Sequence, residues 1–213
     1  KFDIITLIIN FSTQFRFHKK RGKTMKKSLG ASALVYPTPV WVIGTYDKNE
    51  KADATTVAWG GICSSKPPAV AISLRKSRYA YNNIIERQAF TINVPKSDQA
   101  VIADYCGMVS GRNTDKFVAA GITAVKSDTV DAPCIKEFPM VIECKLISQT
   151  EVGVHVHFIG EILDVKVDES MLGRDGLPDI LKISPVIYAP ENQAYYGVGK
   201  YLGNAFAMGK DLK

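Results

Sequence analysis

The sequence is poor in residues suited to metal binding or disulfide formation. It has four cysteines and three histidines in 213 residues, and no Cys-x-x-Cys pair. Zinc ribbons and disulfide-stapled scaffolds need closely spaced cysteines, so neither class is expected. His155 and His157 would share one face of a strand, but no third ligand accompanies them. We predict no metal site, and reduced thiols in a cytoplasmic protein.

Two nucleotide-binding motifs are also absent. The sequence contains neither Gly-x-Gly-x-x-Gly nor Gly-x-x-x-x-Gly-Lys-Ser/Thr. These glycine-rich loops bring backbone N–H groups close to phosphates in dinucleotide-binding domains and in P-loop proteins. Neither a Rossmann site nor a P-loop is therefore indicated.

The basic charge of the chain is concentrated in its first 24 residues. The formal net charge is +6, and residues 1–24 hold six basic residues against one acidic residue, which leaves about +1 for the rest. This distribution predicts no nucleic-acid partner. The apolar run 2–9 is far shorter than the roughly 20 residues of a membrane-spanning helix, and basic residues follow it instead of preceding it. We predict no membrane segment, a leader over residues 1–24 outside the fold, and one domain over residues 25–213.

Beyond residue 39 the pattern is mainly that of β-strands. β-Branched and aromatic runs predict strands at 40–46, 54–60, 69–74, 90–94, 140–150 and 153–168. Helical spacing and caps predict helices at 77–88 with Ser77 as N-cap, within 97–121 with a stop at Gly121, and near 177–182. In the last long strand the apolar positions change from even to odd at Gly160-Glu161, which predicts a β-bulge. Together these elements favour one mainly β domain, a small barrel with helices.

One stretch, residues 52–84, combines small polar residues with a basic turn. Its first part, "ATTVAWGGICSS", offers hydroxyls and a glycine pair; its second, "SLRKSRYAY", places Arg75 and Arg78 beside Ser77 where a strand leads into a helix. A guanidinium, a hydroxyl and the N–H groups of a helix N-terminus together bind phosphate. A solvated charged turn with an N-cap serine is the alternative.

Six motifs in order carry a family resemblance: "ATTVAWGGICSSKPP", "SLRKSRYAYNNI", "FTINVP", "DYCGMVSGRNTDKF", "HVHFIGEI" and "YYGVGKYLGNAF". Over residues 28–210 the chain resembles the flavoredoxin branch of the flavin reductase-like FMN-binding split-barrel family. The resemblance implies a Greek-key split β-barrel, a homodimer, and one FMN per subunit near the subunit interface.

The resemblance also implies which residues contact FMN. The isoalloxazine ring would lie against Ala54, Thr55, Thr56 and Val57. The ribityl chain or phosphate would contact Cys63, Ser64 and Ser65, and the phosphate would be bound by Arg75, Ser77 and Arg78. A histidine of the "HVHF" strand would face the flavin as a catalytic residue, and we favour His157 over His155; a hydrogen-bonded structural histidine is the alternative.

The implied function is an FMN-binding redox flavoprotein that transfers electrons between a nicotinamide, NADH or NADPH, or a redox protein donor and an acceptor. Two alternatives stay open: an NAD(P)H:flavin oxidoreductase with flavin as substrate, and a non-enzymatic FMN-binding module. Trp59, Tyr195 and Tyr196 are candidates for stacking near the ring or a partner subunit, with core packing as the alternative for Trp59. Cys63 and Cys106 are candidates for thiol chemistry, or ordinary small buried residues.

Overall fold

The computed structural model describes residues 25–212, so the predicted leader 1–24 lies outside the described residues. The chain divides into two units after Ser32, and the unit from Ala33 onward holds every helix and strand of the described part. None of the helices within residues 25–212 has the length and apolar character needed to span a membrane.

The described residues form twelve strands and four α-helices. The strands are β1 Thr38–Pro39, β2 Trp41–Tyr46, β3 Ala52–Val57, β4 Gly60–Ser65, β5 Pro68–Arg75, β6 Ala89–Val94, β7 Ala124–Lys126, β8 Pro133–Ile135, β9 Met140–Val152, β10 His155–Val167, β11 Val186–Ala189 and β12 Ala194–Gly197. The helices are α1 Tyr79–Arg87, α2 Ala100–Met108, α3 Lys116–Ala120 and α4 Ile180–Ile183. The predicted mainly β fold with helices is confirmed.

One large antiparallel sheet organises the molecule. Its seven strands run in the order β3-β2-β6-β9-β10-β5-β4, and a second sheet has the order β1-β11-β12. The ends of the large sheet, β3 and β4, are not hydrogen-bonded neighbours, so the sheet curls without closing. This open curl is the arrangement of a split barrel.

Strand β2 is buried on both faces and joins two hydrophobic cores. Ile43 belongs to a cluster inside the large sheet that α1 covers, with Phe90 and Phe158 among its largest members. Val40 and Val42 belong to a second cluster, which α2 and α3 cover. Burial on both sides explains why β2 reads as a continuous apolar run in the sequence.

The two longest strands pair as predicted, but the bulges differ from the prediction. β9 and β10 form a hairpin with two shifts of register, between Ile159 and Gly160 and between Ile162 and Asp164. The first shift leaves Ile147 unpaired on β9, and the second leaves Leu163 unpaired on β10. A register shift therefore lies beside Gly160, as predicted, but its extra residue is on β9, and the bulge on β10 itself falls at Leu163. Leu163 and Val165, which the change of phase was expected to bury, are 44% and 45% exposed.

Helix ends follow local capping chemistry. The N-cap of α1 is Arg78, not the predicted Ser77, and it makes no side-chain capping bond. Asp115 caps α3 by accepting a hydrogen bond from the Val118 N–H, and Gly121 ends this helix at φ 66°, a left-handed conformation that favours glycine. The predicted stop at Gly121 is confirmed. The helix expected near 177–182 begins later, after its cap Asp179.

Candidate functional site

A cavity of about 640 Å³ lies between the ends of the large sheet, α2 and the β11–β12 hairpin. Its lining residues are Thr56, Val57, Ala58, Trp59, Ser73, Leu74, Arg75, Arg78, Asp104, Gly107, Met108, His155, Tyr188, Gln193 and Tyr195. A second cavity of about 230 Å³ shares Arg75, Arg78 and Met108 with it and adds Thr55, Ser77, Tyr79, Val109, Ser110 and Lys116. We call them the large and the small cavity. Their combined size is in the range of small-molecule sites.

The small cavity is cationic. Arg75 ends β5, and after a short turn Arg78 precedes α1, so both guanidinium groups lie beside the N-terminus of this nine-residue helix. The positive end of the helix dipole adds to their charge. Arg78 Nη1 donates to Gly107 O at 2.7 Å, and Arg112 Nη1 donates to Ser77 O at 2.8 Å. These bonds hold the turn in a shape that suits a phosphate group.

Lys116, which lines the small cavity, belongs to a buried ion pair. The side chains of Lys116 and Asp53 are 2% and 3% exposed, and Lys116 Nζ lies 3.2 Å from Asp53 Oδ1. Nζ also donates to Ala54 O at 2.6 Å and to Cys106 O at 3.2 Å. The Thr55 hydroxyl donates to Asp53 Oδ2 at 3.1 Å. Removing either charge would strand the other one in the interior, which costs about 3–5 kcal/mol.

The large cavity also holds a cluster of aromatic residues. The rings of Trp59 and His155 stack with centroids 6.4 Å apart and planes at 11°. Tyr188 lies 6.5 Å from Trp59 and 5.5 Å from Tyr195, measured between ring centroids. Burial, with Arg75 nearby, lowers the pKa of His155, so its ring is neutral at pH 7. The two cavities therefore combine cationic groups with aromatic ones, which suits a planar ligand carrying an anionic group.

Six of the predicted cofactor-binding residues line these cavities: Thr55, Thr56, Val57, Arg75, Ser77 and Arg78. Ala54 does not. Its side chain is fully buried in the core and its carbonyl accepts a hydrogen bond from Lys116, so its contact with a ligand ring stays a prediction.

Cys63, Ser64 and Ser65 also lie outside both cavities. They belong to β4, where Ser65 pairs with Pro68 at the start of β5, whereas Arg75 ends β5. At roughly 3.3 Å per residue the two ends of β5 are about 23 Å apart. Within one chain these three residues therefore lie away from Arg75, and their contact with the ribityl chain or phosphate stays a prediction.

The two histidines of β10 lie in different places, and the catalytic role expected of His157 stays a prediction. His155 lines the large cavity, whereas His157 does not. His157 Nδ1 lies 2.9 Å from Ser73 Oγ, so its ring supports the serine that lines the cavity. The choice between the two could not be made from alternation, because residues two apart in a strand share a face.

The four cysteines are free, and three of them are buried. Burial raises the pKa of Cys106 to about 11 and that of Cys144 to about 12. Burial and the neighbouring Glu143 raise the pKa of Cys134 to about 12. These three thiols stay protonated at neutral pH and are poor nucleophiles. Cys63 is exposed and lies outside the cavities.

The fold and cavities define a class of protein, the split β-barrels with a cavity lined by arginines and aromatic residues. The chain belongs to the flavin reductase-like family: the family model described as "Flavin reductase like domain" matches residues 32–197. The family predicted from the six motifs is confirmed.

Solved structures agree with this assignment. Flavoredoxin of Desulfovibrio vulgaris (Miyazaki F) is 55% identical and superimposes with a TM-score of 0.84 over 87% of this chain and 100% of that chain. Flavoredoxin from Methanosarcina acetivorans is 30% identical, with a TM-score of 0.83 over 89% of this chain and 100% of that chain. A split-barrel protein from Shewanella frigidimarina, 24% identical, has a TM-score of 0.73 over 81% of this chain and 87% of that chain. The predicted Greek-key split barrel is confirmed.

Three contributors to the site were missed from the sequence. Lys116 reads as an ordinary surface lysine after a helix cap, and Asp104 as a polar residue of an amphipathic helix. His155 was set aside in favour of His157. The sequence feature that pointed to Lys116 was Asp53 in "ADATT". Once buried in a strand, a charged Asp53 needs a cationic partner.

Proposed function

We propose that this protein is an FMN-binding redox flavoprotein similar to flavoredoxin. The observation that carries the proposal is a pair of cavities that share Arg75 and Arg78, where the start of α1 adjoins the small cavity and Trp59, His155 and Tyr188 line the large one. FMN has the matching polarity, because a dianionic phosphate is linked to a flat aromatic ring. The two flavoredoxins are the relatives that support this choice.

The residues present fit the group. Arg75, Arg78 and Ser77 would bind the phosphate oxygens, while the buried Lys116, paired with Asp53, supports this part of the site. Thr56 and Val57 would lie along the ring. The Thr56 hydroxyl donates to the Ala103 carbonyl, so its methyl group and backbone are what it offers to a ligand.

When bound, FMN supplies reversible one- and two-electron transfer, which no side chain of the chain provides. The residues of the cavity position the ring and set its electrostatic surroundings. The neutral His155 ring, stacked on Trp59, forms an uncharged wall that accepts or donates a hydrogen bond. Electrons would pass from a nicotinamide, NADH or NADPH, or from a redox protein to an acceptor.

The test is anaerobic stopped-flow reduction of the FMN-loaded protein with NADH, NADPH and a reduced ferredoxin in parallel. We expect a yellow protein whose flavin absorbance is bleached by at least one of these donors. A protein that keeps its colour through gel filtration holds FMN as a cofactor, whereas loss of FMN at that step favours flavin as a substrate. A purified protein that binds no added FMN contradicts the proposal.

We further propose a homodimer in the cytoplasm. The four free thiols fit a reducing compartment. The dimer is supported by apolar side chains that stay exposed on the large sheet, with Ile62 81% and Ile147 49% exposed.

A further inference from the structure

The β11–β12 hairpin forms one wall of the large cavity. Tyr188, Gln193 and Tyr195 line the cavity from this hairpin, and Asp104 lines it from α2. The Tyr195 hydroxyl donates to Asp104 Oδ1 at 2.8 Å. This bond connects β12 of the three-stranded sheet to α2, which packs on the large sheet. Both residues line the large cavity, which lies between the hairpin and the large sheet.

The turn of the hairpin is strained. Glu191 and Gln193 have φ values of 68° and 50°, a left-handed conformation that non-glycine residues adopt rarely. Such a conformation persists where surrounding contacts maintain it. Tyr36 Oη contacts Pro190 O at 2.9 Å on one side of the turn, and Tyr195 bonds Asp104 on the other.

The Tyr195–Asp104 hydrogen bond also engages the carboxylate of Asp104, which lines the large cavity. Burial and the Asp104 contact raise the pKa of Tyr195, so its phenol remains a donor at neutral pH. While the phenol donates, part of the Asp104 charge is compensated. Without this donor the carboxylate would present its full charge to the cavity.

We propose that the Tyr195–Asp104 hydrogen bond is a latch that holds the β11–β12 hairpin over bound FMN and shields the flavin from the Asp104 charge. The proposal rests on the proposed function and assigns Tyr195 and Asp104 as positioning residues. Opening the latch has two separable effects, one on retention of the cofactor and one on its reduction potential. An unshielded negative charge disfavours the electron-rich reduced flavin.

The test compares Tyr195→Phe with Tyr196→Phe, a neighbour that lines neither the large nor the small cavity. We expect FMN to dissociate about two- to tenfold faster from Tyr195→Phe, the effect of one hydrogen bond, and its midpoint potential to become more negative. Tyr196→Phe should match the unsubstituted protein in both. Equal behaviour of the two variants overturns the latch.

The double variant Tyr195→Phe/Asp104→Asn separates the effect of the Asp104 charge on the flavin from the effect of holding the hairpin over the cofactor. Its potential should return to that of the unsubstituted protein, because the charge is gone, while FMN dissociation stays fast. If the midpoint potential of the double variant is as negative as that of Tyr195→Phe, the claim that Tyr195 shields the flavin from the Asp104 charge is overturned.

Amide hydrogen exchange of residues 190–195 in the FMN-free protein gives a readout that does not depend on the cofactor. Exchange should be faster in Tyr195→Phe than in Tyr196→Phe, and equal exchange overturns the hairpin part of the proposal. An unsubstituted protein that binds no FMN refutes the proposed function, whereas a yellow protein with identical variants refutes only the latch.

Discussion

At the scale of single residues, the proposed phosphate site depends on arginines that have no carboxylate partner among the residues lining the small cavity. Arg75 is exposed at the end of β5 and lines both cavities. Lys116, in contrast, pairs with the Asp53 carboxylate and donates hydrogen bonds to backbone carbonyls. The exposed arginines are therefore the residues most available to a phosphate, and Lys116 is mainly a structural cation.

Arg75→Ala should weaken FMN binding while leaving the fold intact. A charge-assisted hydrogen bond contributes about 1.5–3 kcal/mol, so the dissociation constant should rise roughly 10- to 100-fold. Fluorescence titration of the FMN-free protein measures this change. Arg174→Ala is the matched control, because this exposed arginine lies outside both cavities. Unchanged FMN affinity in Arg75→Ala would contradict our assignment of the phosphate end.

At the scale of elements, the β9–β10 hairpin carries a buried carboxylate that ties a long connection to the sheet. Glu143 on β9 is fully buried, lies 2.8 Å from Lys166 Nζ, and accepts a hydrogen bond from the Thr129 N–H at 3.2 Å. Burial by itself would raise the pKa of Glu143, but hydrogen bonds from Lys166, Thr129 and Ser127 outweigh it and lower the pKa from 4.5 to about 2.

This carboxylate predicts acid sensitivity. Because the pKa of Glu143 is lower in the folded than in the unfolded state, its stabilisation is complete above pH 4.5 and is lost as the pH falls toward 2. The loss amounts to about 3 kcal/mol at most. Urea denaturation between pH 7 and pH 3 should show a steeper decline for the unsubstituted protein than for Glu143→Gln. Parallel declines would show that Glu143 does not carry the effect.

The same hairpin requires a glycine where it passes over the core. A Cβ on Gly160 would lie 2.6 Å from Phe90 Cζ and 3.0 Å from Cys144 Cβ. Gly160→Ala should therefore cost about 1–3 kcal/mol of unfolding free energy through overpacking. Gly61→Ala is the matched control, since a Cβ there meets nothing within 4 Å. Chemical denaturation compares the unfolding free energies of the two variants. Equal values would mean that the Phe90 side chain moves aside to accommodate the added methyl group.

Much of the fold could be predicted from local patterns, and much of the site could not. β2, β5, β6 and the long hairpin are apolar runs bounded by turn residues, and each was located to within a few residues. β4 was missed as a separate strand, because its sequence "GGICSS" has no alternation and Ile62 points to solvent. The cavity was only half predicted: Tyr195 was a candidate, but its pairing with Asp104, 91 residues away in the sequence, is encoded by no local pattern.

At the scale of the whole molecule, the proposed homodimer would cover exposed apolar side chains of β9 and β10. The two bulges turn Ile147 and Leu163 outward, and Val165 lies on the same strand as Leu163. Covering such a surface is favourable at roughly 25 cal/mol per Å² of apolar area.

We expect sedimentation velocity to give twice the mass of one chain at micromolar concentration. The double substitution Leu163→Glu/Val165→Glu should shift the protein toward the monomer, because it would bury charge in the interface. Leu177→Glu, in an exposed connection, should not. A monomeric unsubstituted protein would contradict the dimer.

Strand β2 has a consequence for how the barrel unfolds. Since Ile43 and Val42 point into different hydrophobic clusters, neither cluster can melt without exposing a face of the same strand. The two halves of the β-barrel are thus coupled into one cooperative unit. Ligand contacts made at Thr56 on β3, which pairs with β2, would therefore raise the stability of the whole barrel and not only of the cavity.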